Sequence, residues 1–351
     1  MSHPYSDKPA YTRWSRSVAG VDAGAVDPVV DFPWRITTTD RIVTAGSCFA
    51  QHIARRLGES GYNHHIVEPG HPAIPPAIRT AHNYGLYSAR YGNVYTSRQL
   101  LQLFKRALRQ FKPKESVWRR GDAFIDPYRP IIEPDGFSSL EELKIDRWQH
   151  LKAVRQAMMQ LDVFVFTLGL TETWISRIDG AAFPLCPGVE GGAFDPDVHA
   201  FVNLEVADVV AEMTEALAIL REVNPKAKVI LTVSPVPLAA TALDRHVLTS
   251  TIYSKSVLRV AADMVARTVP DVTYFPSYEI ITGPHADYFA PDLRSVTDRG
   301  VDHVMRLFFE HATEGGGAEP PPPTPAKATS KREQALDTVT EAMCEEALLD
   351  R

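Results

Sequence analysis

Three short apolar runs constrain the fold of this chain more than any other feature. They cover residues 41–45 (RIVTA), 162–167 (DVFVFT) and 228–233 (KVILTV). Runs of this length that are rich in β-branched and aromatic residues are typical of strands buried on both faces of a parallel sheet. Segments with helical periodicity lie between and after them, at residues 49–57, 96–104, 139–160, 204–222, 249–267 and 297–311. Because strands alternate with helices, the sequence predicts an α/β protein with a mostly parallel sheet.

The composition excludes several classes of protein. The 351 residues carry a net charge of −6, so the chain lacks the general electrostatic attraction that dominates nucleic-acid binding. It has no apolar run of about 18 residues and no apolar core of a signal peptide near its start, so we expect a cytoplasmic protein without a membrane span. The 3 cysteines have no zinc-binding spacing and fit a reducing compartment. Nucleotide-binding loops and metal-binding motifs are also missing, so we expect no bound cofactor and no metal.

The chain divides into four segments by composition. The composition predicts an irregular N-terminal segment at residues 1–35. It predicts one α/β domain at residues 36–312, with an insertion near residues 105–140. Residues 313–330 read as a linker rich in Pro and Gly. Residues 331–351 predict a short acidic amphipathic helix, which is either a solvated appendage or a docking element for a partner or a neighbouring subunit.

The strongest candidate for chemistry is the turn Gly46-Ser47-Cys48, between the first predicted strand and the helix that follows it. A sharp strand-to-helix turn places side chains at the carboxyl edge of the sheet, beside the N–H groups of a helix N-terminus. These groups stabilise a thiolate, which makes a cysteine there a better nucleophile. The alternative is structural, since Cys48 is also suited to packing beneath the helix as a small apolar residue.

Several motifs, in order along the chain, resemble one known family. They are residues 46–50 (GSCFA), 90–100 (RYGNVYTSRQL), 167–174 (TLGLTETW), 232–236 (TVSPV), 253–256 (YSKS) and 275–279 (FPSYE). Together they resemble the GSCFA family over roughly residues 35–310. This family looks like a distant branch of the SGNH (GDSL-type) esterases and acyltransferases. That resemblance implies a flavodoxin-like three-layer α/β/α sandwich.

The resemblance also implies roles for residues of the turn and of two later motifs. Cys48 stands where the SGNH serine nucleophile stands, and Ser47 is the reserve nucleophile because only one of the two can face the cleft. The implied oxyanion hole draws on Gly92, Asn93, Gly169 and Thr171. Thr171 replaces the asparagine of the SGNH pattern, and its hydroxyl can still donate one hydrogen bond. The alternatives are a simple turn at Gly92 and Asn93 and a helix cap at Thr171.

The general base is where the sequence departs from the SGNH pattern. The Asp-x-x-His motif expected before the last helix reads Asp-Leu-Arg-Ser at residues 292–295, with serine in place of histidine. His246 and His285 lie in loops expected at the same edge of the sheet and are the candidate bases, with His52 as a third option. Two further residues of the 167–174 motif are candidates for substrate binding, namely Glu172 and Trp174.

These features predict an esterase or O-acyltransferase for a small molecule, carbohydrate or glycan precursor, with Cys48 attacking the acyl carbonyl. The expected cytoplasmic location favours transfer from acyl-CoA as co-substrate over degradation of an external polymer. The alternative is a binding or scaffold protein that retains the cleft and has lost the catalytic base. Four basic residues within or near these motifs are expected to be surface charges, and the alternative is contact with a phosphate or a carboxylated sugar: Arg90, Arg98, Arg129 and Lys255.

Overall fold

A computed structural model of the chain describes residues 3–284, 287–315 and 348–349. Within these residues the strands are β1 (Ile42–Gly46), β2 (Trp118–Arg120), β3 (Ala123–Ile125), β4 (Val163–Leu168), β5 (Glu172–Ser176), β6 (Ala182–Phe183), β7 (His199–Asn203), β8 (Lys228–Val233) and β9 (Val272–Tyr274). The helices are α1 (Trp14–Ser17), α2 (Phe49–Glu59), α3 (Pro76–Ala81), α4 (Ser97–Ala107), α5 (Leu140–Gln160), α6 (Val206–Val223), α7 (Val247–Thr268), α8 (Ser277–Thr282) and α9 (Asp298–Ala312). Most of the linker predicted at 313–330 and of the helix predicted at 331–351 lies outside the described residues.

Four parallel strands form the central sheet in the order β1-β4-β8-β9. β1 pairs with β4 so that Gly46 lies opposite Thr167, and β4 pairs with β8 over its whole length. On the outer side of β1, His64 forms a further parallel bridge with Ile42. This order, with the segment around His64 outside β1, is that of flavodoxin-like sheets. The predicted α/β class and mostly parallel sheet are confirmed.

Helices cover both faces of this sheet. One hydrophobic core lies between the sheet and α4, α5, α6 and α7, and the other lies between the sheet and α2, α8 and α9. Side chains of β4 alternate between the two cores: Phe164 and Phe166 face the first, and Val163 and Val165 face the second. Burial on both faces explains why the strand sequences read as continuous apolar runs. The predicted three-layer α/β/α architecture is confirmed.

A capping box fixes the start of α4 next to the motif at residues 90–100. The Thr96 hydroxyl accepts a hydrogen bond from the Gln99 backbone N–H at 3.2 Å. In return, Gln99 Oε1 accepts from the backbone N–H groups of Thr96 at 3.1 Å and of Tyr95 at 2.7 Å. These bonds satisfy N–H groups that the first turn of a helix otherwise leaves without partners. These bonds fix the segment before α4 to the first turn of that helix.

Two small antiparallel sheets were not predicted. One has the order β6-β5-β7 and follows β4, and the other is the hairpin of β2 and β3, within the region expected as an insertion. Their strands have between 2 and 5 residues, which is too short to produce a clear period of two. No described helix combines the length and the apolar character that crossing a lipid bilayer requires.

Candidate functional site

The turn after β1 depends on the glycine at its start. Gly46 has a φ of +140°, and a Cβ placed on it would lie 2.3 Å from the carbonyl oxygen of Thr167 on β4. The next backbone N–H, of Ser47, donates to that same oxygen at 3.2 Å. The backbone of the turn therefore lies directly on β4, at the carboxyl edge of the sheet, and only glycine fits at its first position.

We expect Gly46→Ala to lower the free energy of unfolding by at least ~2 kcal/mol, because the added methyl group meets backbone at an unfavourable φ. Urea denaturation measures the effect. Gly58→Ala is the matched control: Gly58 lies in α2, and a Cβ there would have no atom within 4 Å. Equal unfolding midpoints for the two variants would contradict this account of the turn.

The turn presents its two candidate nucleophiles differently. Ser47 is 3% exposed, and a Cβ added at Gly169 would lie 3.1 Å from the Ser47 Cβ. Among the described residues, the Ser47 hydroxyl has no hydrogen-bond partner. Cys48 is half-buried and is the N-cap residue of α2. Because Ser47 packs beneath the loop at Gly169, Cys48 is the more accessible of the two.

The loop at Gly92 and Asn93 is attached to this turn. The Val94 N–H donates to the Gly46 carbonyl at 2.8 Å, and Gly92 has a φ of +70°. Gln51, one helical turn after Cys48, donates through Nε2 to Asn93 Oδ1 at 3.3 Å. Asn93 is therefore fixed beside the first turn of α2 with its amide oxygen engaged. The structure brings Asn93 to the first turn of α2, with Gly92 next to it in the loop, and the oxyanion role of both stays a prediction.

Both predicted oxyanion residues after β4 form hydrogen bonds within the protein. Gly169 donates its N–H to the Tyr95 carbonyl at 2.9 Å. Thr171 is fully buried, and its hydroxyl donates to Asn203 Oδ1 at 2.6 Å. The alternative of a helix cap at Thr171 is wrong, because strand β5 begins at the next residue. Donation from Thr171 to an oxyanion requires its hydroxyl to leave Asn203, and this role stays a prediction.

Lys255 lies next to the loop at Gly169, although the sequence predicts a surface charge. It was expected at the surface, but it is 2% exposed and its Nζ donates to the Gly169 carbonyl at 2.5 Å. The neighbouring Ser254 hydroxyl accepts from the Thr171 N–H at 2.9 Å. Helix α7 thus brings a buried cation to the loop that packs on Ser47. Arg90 and Arg129 were also expected at the surface and are 1% and 2% exposed.

The two predicted substrate-binding residues lie on β5. Glu172 accepts hydrogen bonds from the Thr241 hydroxyl at 2.7 Å and from the Ala242 N–H at 3.3 Å. Burial raises the pKa of Glu172 above its usual value. Trp174 packs edge-on against Phe194 and Phe201. Both residues lie beyond the carboxyl edge of β4, and their contact with a substrate stays a prediction.

The structure places the candidate bases as follows. His246 is exposed, and its Nδ1 accepts from the Leu248 N–H at 3.2 Å, which caps α7. His285 lies outside the described residues. His52 is half-buried on α2, next to Phe49. Ser295, which replaces the SGNH histidine, donates its hydroxyl to Asp292 Oδ2 at 2.6 Å. The assignment of His246 or His285 as base stays a prediction.

A crevice runs along α2 away from the turn. Its wider part is a cavity of about 130 Å³ lined by residues that include Gln51, His52 and His64. A smaller cavity lined by Ser47 shares Gln51, Ala54 and Leu86 with it. No sequence motif predicts His64 at this site, because His64 belongs to none of the family motifs. Its only sequence signal was its position two residues before Ile66 and Val67, a weakly β-prone stretch.

His64 is expected to make the stability of the fold depend on pH. Its Nε2 lies 3.1 Å from the Ser88 hydroxyl and 3.2 Å from the Thr44 hydroxyl. Burial, with a smaller contribution from His65, lowers the pKa of His64 to about 4. Because the unfolded chain then binds a proton at a pH where the native state does not, stability falls as the pH drops from about 6.5 towards 4.

Between pH 7 and pH 5, the free energy of unfolding of the wild type is expected to fall by ~2 kcal/mol more than that of His64→Gln. Urea denaturation at the two pH values measures this difference. Burial also lowers the pKa values of His150 and His303, so only the difference between the proteins reports on His64. Identical pH dependences would contradict the assignment.

Comparison with known proteins agrees with these motifs. The sequence model of the GSCFA family matches residues 41–308, which include the turn after β1, the loop at Gly92 and Asn93, and the buried Lys255. A search of curated proteins finds no match. The matched region spans most of the chain and all four strands of the central sheet. The chain therefore belongs to the GSCFA family.

Proposed function

We propose that the chain is an SGNH-like acyl-ester hydrolase or O-acyltransferase that acts on a carbohydrate or glycan precursor. The observation that carries the proposal is the position of Cys48. It is half-buried at the N-terminal end of α2, at the carboxyl edge of a sheet with flavodoxin-like order. Helix N–H groups and the helix dipole favour negative charge at such a position. The link to SGNH enzymes rests on this order and on the motif resemblance.

In the proposed reaction, the Cys48 thiolate attacks the acyl carbonyl and its electron pair forms the C–S bond of a thioester. The carbonyl π electrons move to oxygen and then return to expel the leaving group. That group is the alkoxide of an ester or the thiolate of acyl-CoA, and it takes up a proton. Water or a sugar hydroxyl then attacks the thioester, loses its proton to a base and releases Cys48. Asn93 and backbone N–H groups of the turn are the proposed donors to the oxyanion.

The proposed base is His246 or His285. His246 offers its Nε2, because its Nδ1 caps α7. Breakdown of the thioester needs a base that takes the proton of the incoming water or sugar. Without that base, the thioester persists. Substituting each histidine with Gln separates the two assignments: the correct base is the one whose loss lets the acylated protein accumulate.

The alternative function, a binding or scaffold protein, is favoured by one observation. The SGNH histidine position holds Ser295, whose hydroxyl and backbone N–H both bond to Asp292 and close a local turn. A protein that kept the cleft without a base would bind an acylated ligand and leave it intact.

Intact-mass spectrometry of the full-length protein after incubation with acetyl-CoA or p-nitrophenyl acetate distinguishes the two functions. We expect a gain of one acetyl group, mapped to Cys48 by peptide analysis and absent from Cys48→Ala. An unmodified protein with both donors, together with the absence of turnover, would contradict the enzyme proposal and favour the binding protein.

A further inference from the structure

A small cavity borders the Asn93 loop and helix α4. It is lined by residues that include Asn93, Gln99, Arg106, Tyr128 and Arg129, from the loop before α4, from α4 itself and from the segment after β3. Its volume is about 30 Å³. Since one buried water needs about 10–15 Å³, the cavity has room for about two waters or one carboxylate group.

Arg106 is the unusual member of this lining. It is 8% exposed, and its guanidinium lies 4.1 Å above the centre of the Tyr128 ring. Within the described part of the chain, it donates no hydrogen bond and has no carboxylate within 4.0 Å. Burial lowers the pKa of Arg106 to about 10. Burial therefore disfavours the positive charge of Arg106, and no described carboxylate contacts the guanidinium to neutralise it.

The nearby carboxylate of Asp126 is fully engaged elsewhere. Its oxygens accept from Arg129 Nε and Nη2 at 3.0 and 2.9 Å, from Arg147 Nε and Nη2 at 3.3 and 3.0 Å, and from the Tyr128 N–H at 3.2 Å. Five donors on two oxygens leave no place for Arg106. The two neighbouring arginines thus have direct carboxylate partners, and Arg106 has none within the chain that the structure describes.

A second donor lines the same cavity. Gln99 uses its Oε1 to accept from the N–H groups of Tyr95 and Thr96, and its Nε2 donates to no described residue. Asn93, which also lines the cavity, accepts a hydrogen bond from Gln51 at the first turn of α2. The cavity therefore combines a buried cation, an amide donor and proximity to the Cys48 turn.

We propose that this cavity binds a carboxylate group, held by the guanidinium of Arg106 with the amide of Gln99 beside it. The planar fork of an arginine fits the two oxygens of a carboxylate. The small volume favours this planar group over a tetrahedral phosphate. The assignment of this carboxylate to the substrate rests on the proposed function. The substrate is then an acidic carbohydrate such as a uronic acid.

Isothermal titration calorimetry of the full-length protein with potassium glucuronate tests the site without reference to acyl chemistry. We expect binding to the wild type that acetate competes away and that phosphate, glucose and potassium chloride at equal ionic strength do not. Arg106→Met is expected to weaken binding at least ~10-fold, because it removes a charge-assisted bidentate contact. The control is Arg119→Met, since Arg119 also stacks on a ring, that of Phe124 at 3.6 Å, but is exposed. Equal affinities of wild type and Arg106→Met, or no binding of glucuronate, would overturn the proposal.

Thermal unfolding without added anion separates binding from folding. A buried cation without a direct partner stabilises little, so we expect the Tm of Arg106→Met to equal or exceed that of the wild type. A Tm several degrees lower would show that Arg106 supports the fold through Tyr128, and it would contradict a binding role. Because neither measurement depends on turnover, failure of the carboxylate site and failure of the acyl chemistry are distinguishable.

Discussion

Replacing Cys48 with Ala is expected to reduce acyl turnover by at least ~10³-fold, because it removes the atom that forms the covalent intermediate. Steady-state hydrolysis of p-nitrophenyl acetate and transfer from acetyl-CoA both measure the loss. Cys186→Ala is the matched control, since Cys186 is also half-buried and burial raises the pKa of its thiol to about 11. The control is expected to retain wild-type turnover.

A comparison with Ser47→Ala locates the nucleophile within the turn. Ser47 is 3% exposed beneath Gly169, so its loss is expected to affect turnover much less than the loss of Cys48. Loss of turnover in Ser47→Ala with full turnover in Cys48→Ala would move the nucleophile to Ser47. Full turnover in both variants would exclude a covalent route through this turn.

Asp126→Asn is expected to lower the free energy of unfolding by ~3–5 kcal/mol, the usual cost of removing one charged partner of a buried ion pair. Asp126 is 1% exposed and accepts four hydrogen bonds from Arg129 and Arg147. Burial alone would raise the pKa of Asp126, but Arg147, Arg129 and Arg106 together hold it well below its usual value. Without that carboxylate, the buried guanidinium groups of Arg129 and Arg106 and the partly buried one of Arg147 repel one another.

Urea denaturation of Asp126→Asn beside Asp302→Asn measures this effect. Asp302 pairs with Arg56 at the surface, where its side chain is 59% exposed, so its substitution is expected to cost less than ~1 kcal/mol. A similarly small cost for Asp126→Asn would show that the buried charges rearrange without their central carboxylate.

The central layers could be predicted because their strands are buried on both faces. A parallel strand such as β4 sends Phe164 and Phe166 to one core and Val163 and Val165 to the other, so its whole sequence is apolar. The sheet β6-β5-β7 could not be predicted in this way. Its strands are short, and β5 pairs with β6 on one side and β7 on the other. This pairing depends on tertiary structure, so no local sequence pattern predicts it.

The candidate site was predicted in part for a similar reason. The turn is local: its glycine, its two candidate nucleophiles and the helix after it are adjacent in sequence. The residues that surround the turn come from distant segments. Gln51 reaches Asn93 across 42 residues, and Lys255 reaches Gly169 across 86 residues. Charged residues are usually exposed, so the burial of Lys255 follows from tertiary packing and not from composition.

The most direct test of the account is the rate at which iodoacetamide labels each cysteine of the native protein between about pH 5 and pH 9, read by mass spectrometry. The account predicts that Cys48 is labelled rapidly near neutral pH. Cys186 is expected to react slowly over the same range, because burial raises the pKa of its thiol to about 11. A Cys48 that stays unlabelled until the protein unfolds would contradict the account, since it would show a packing residue and not a nucleophile.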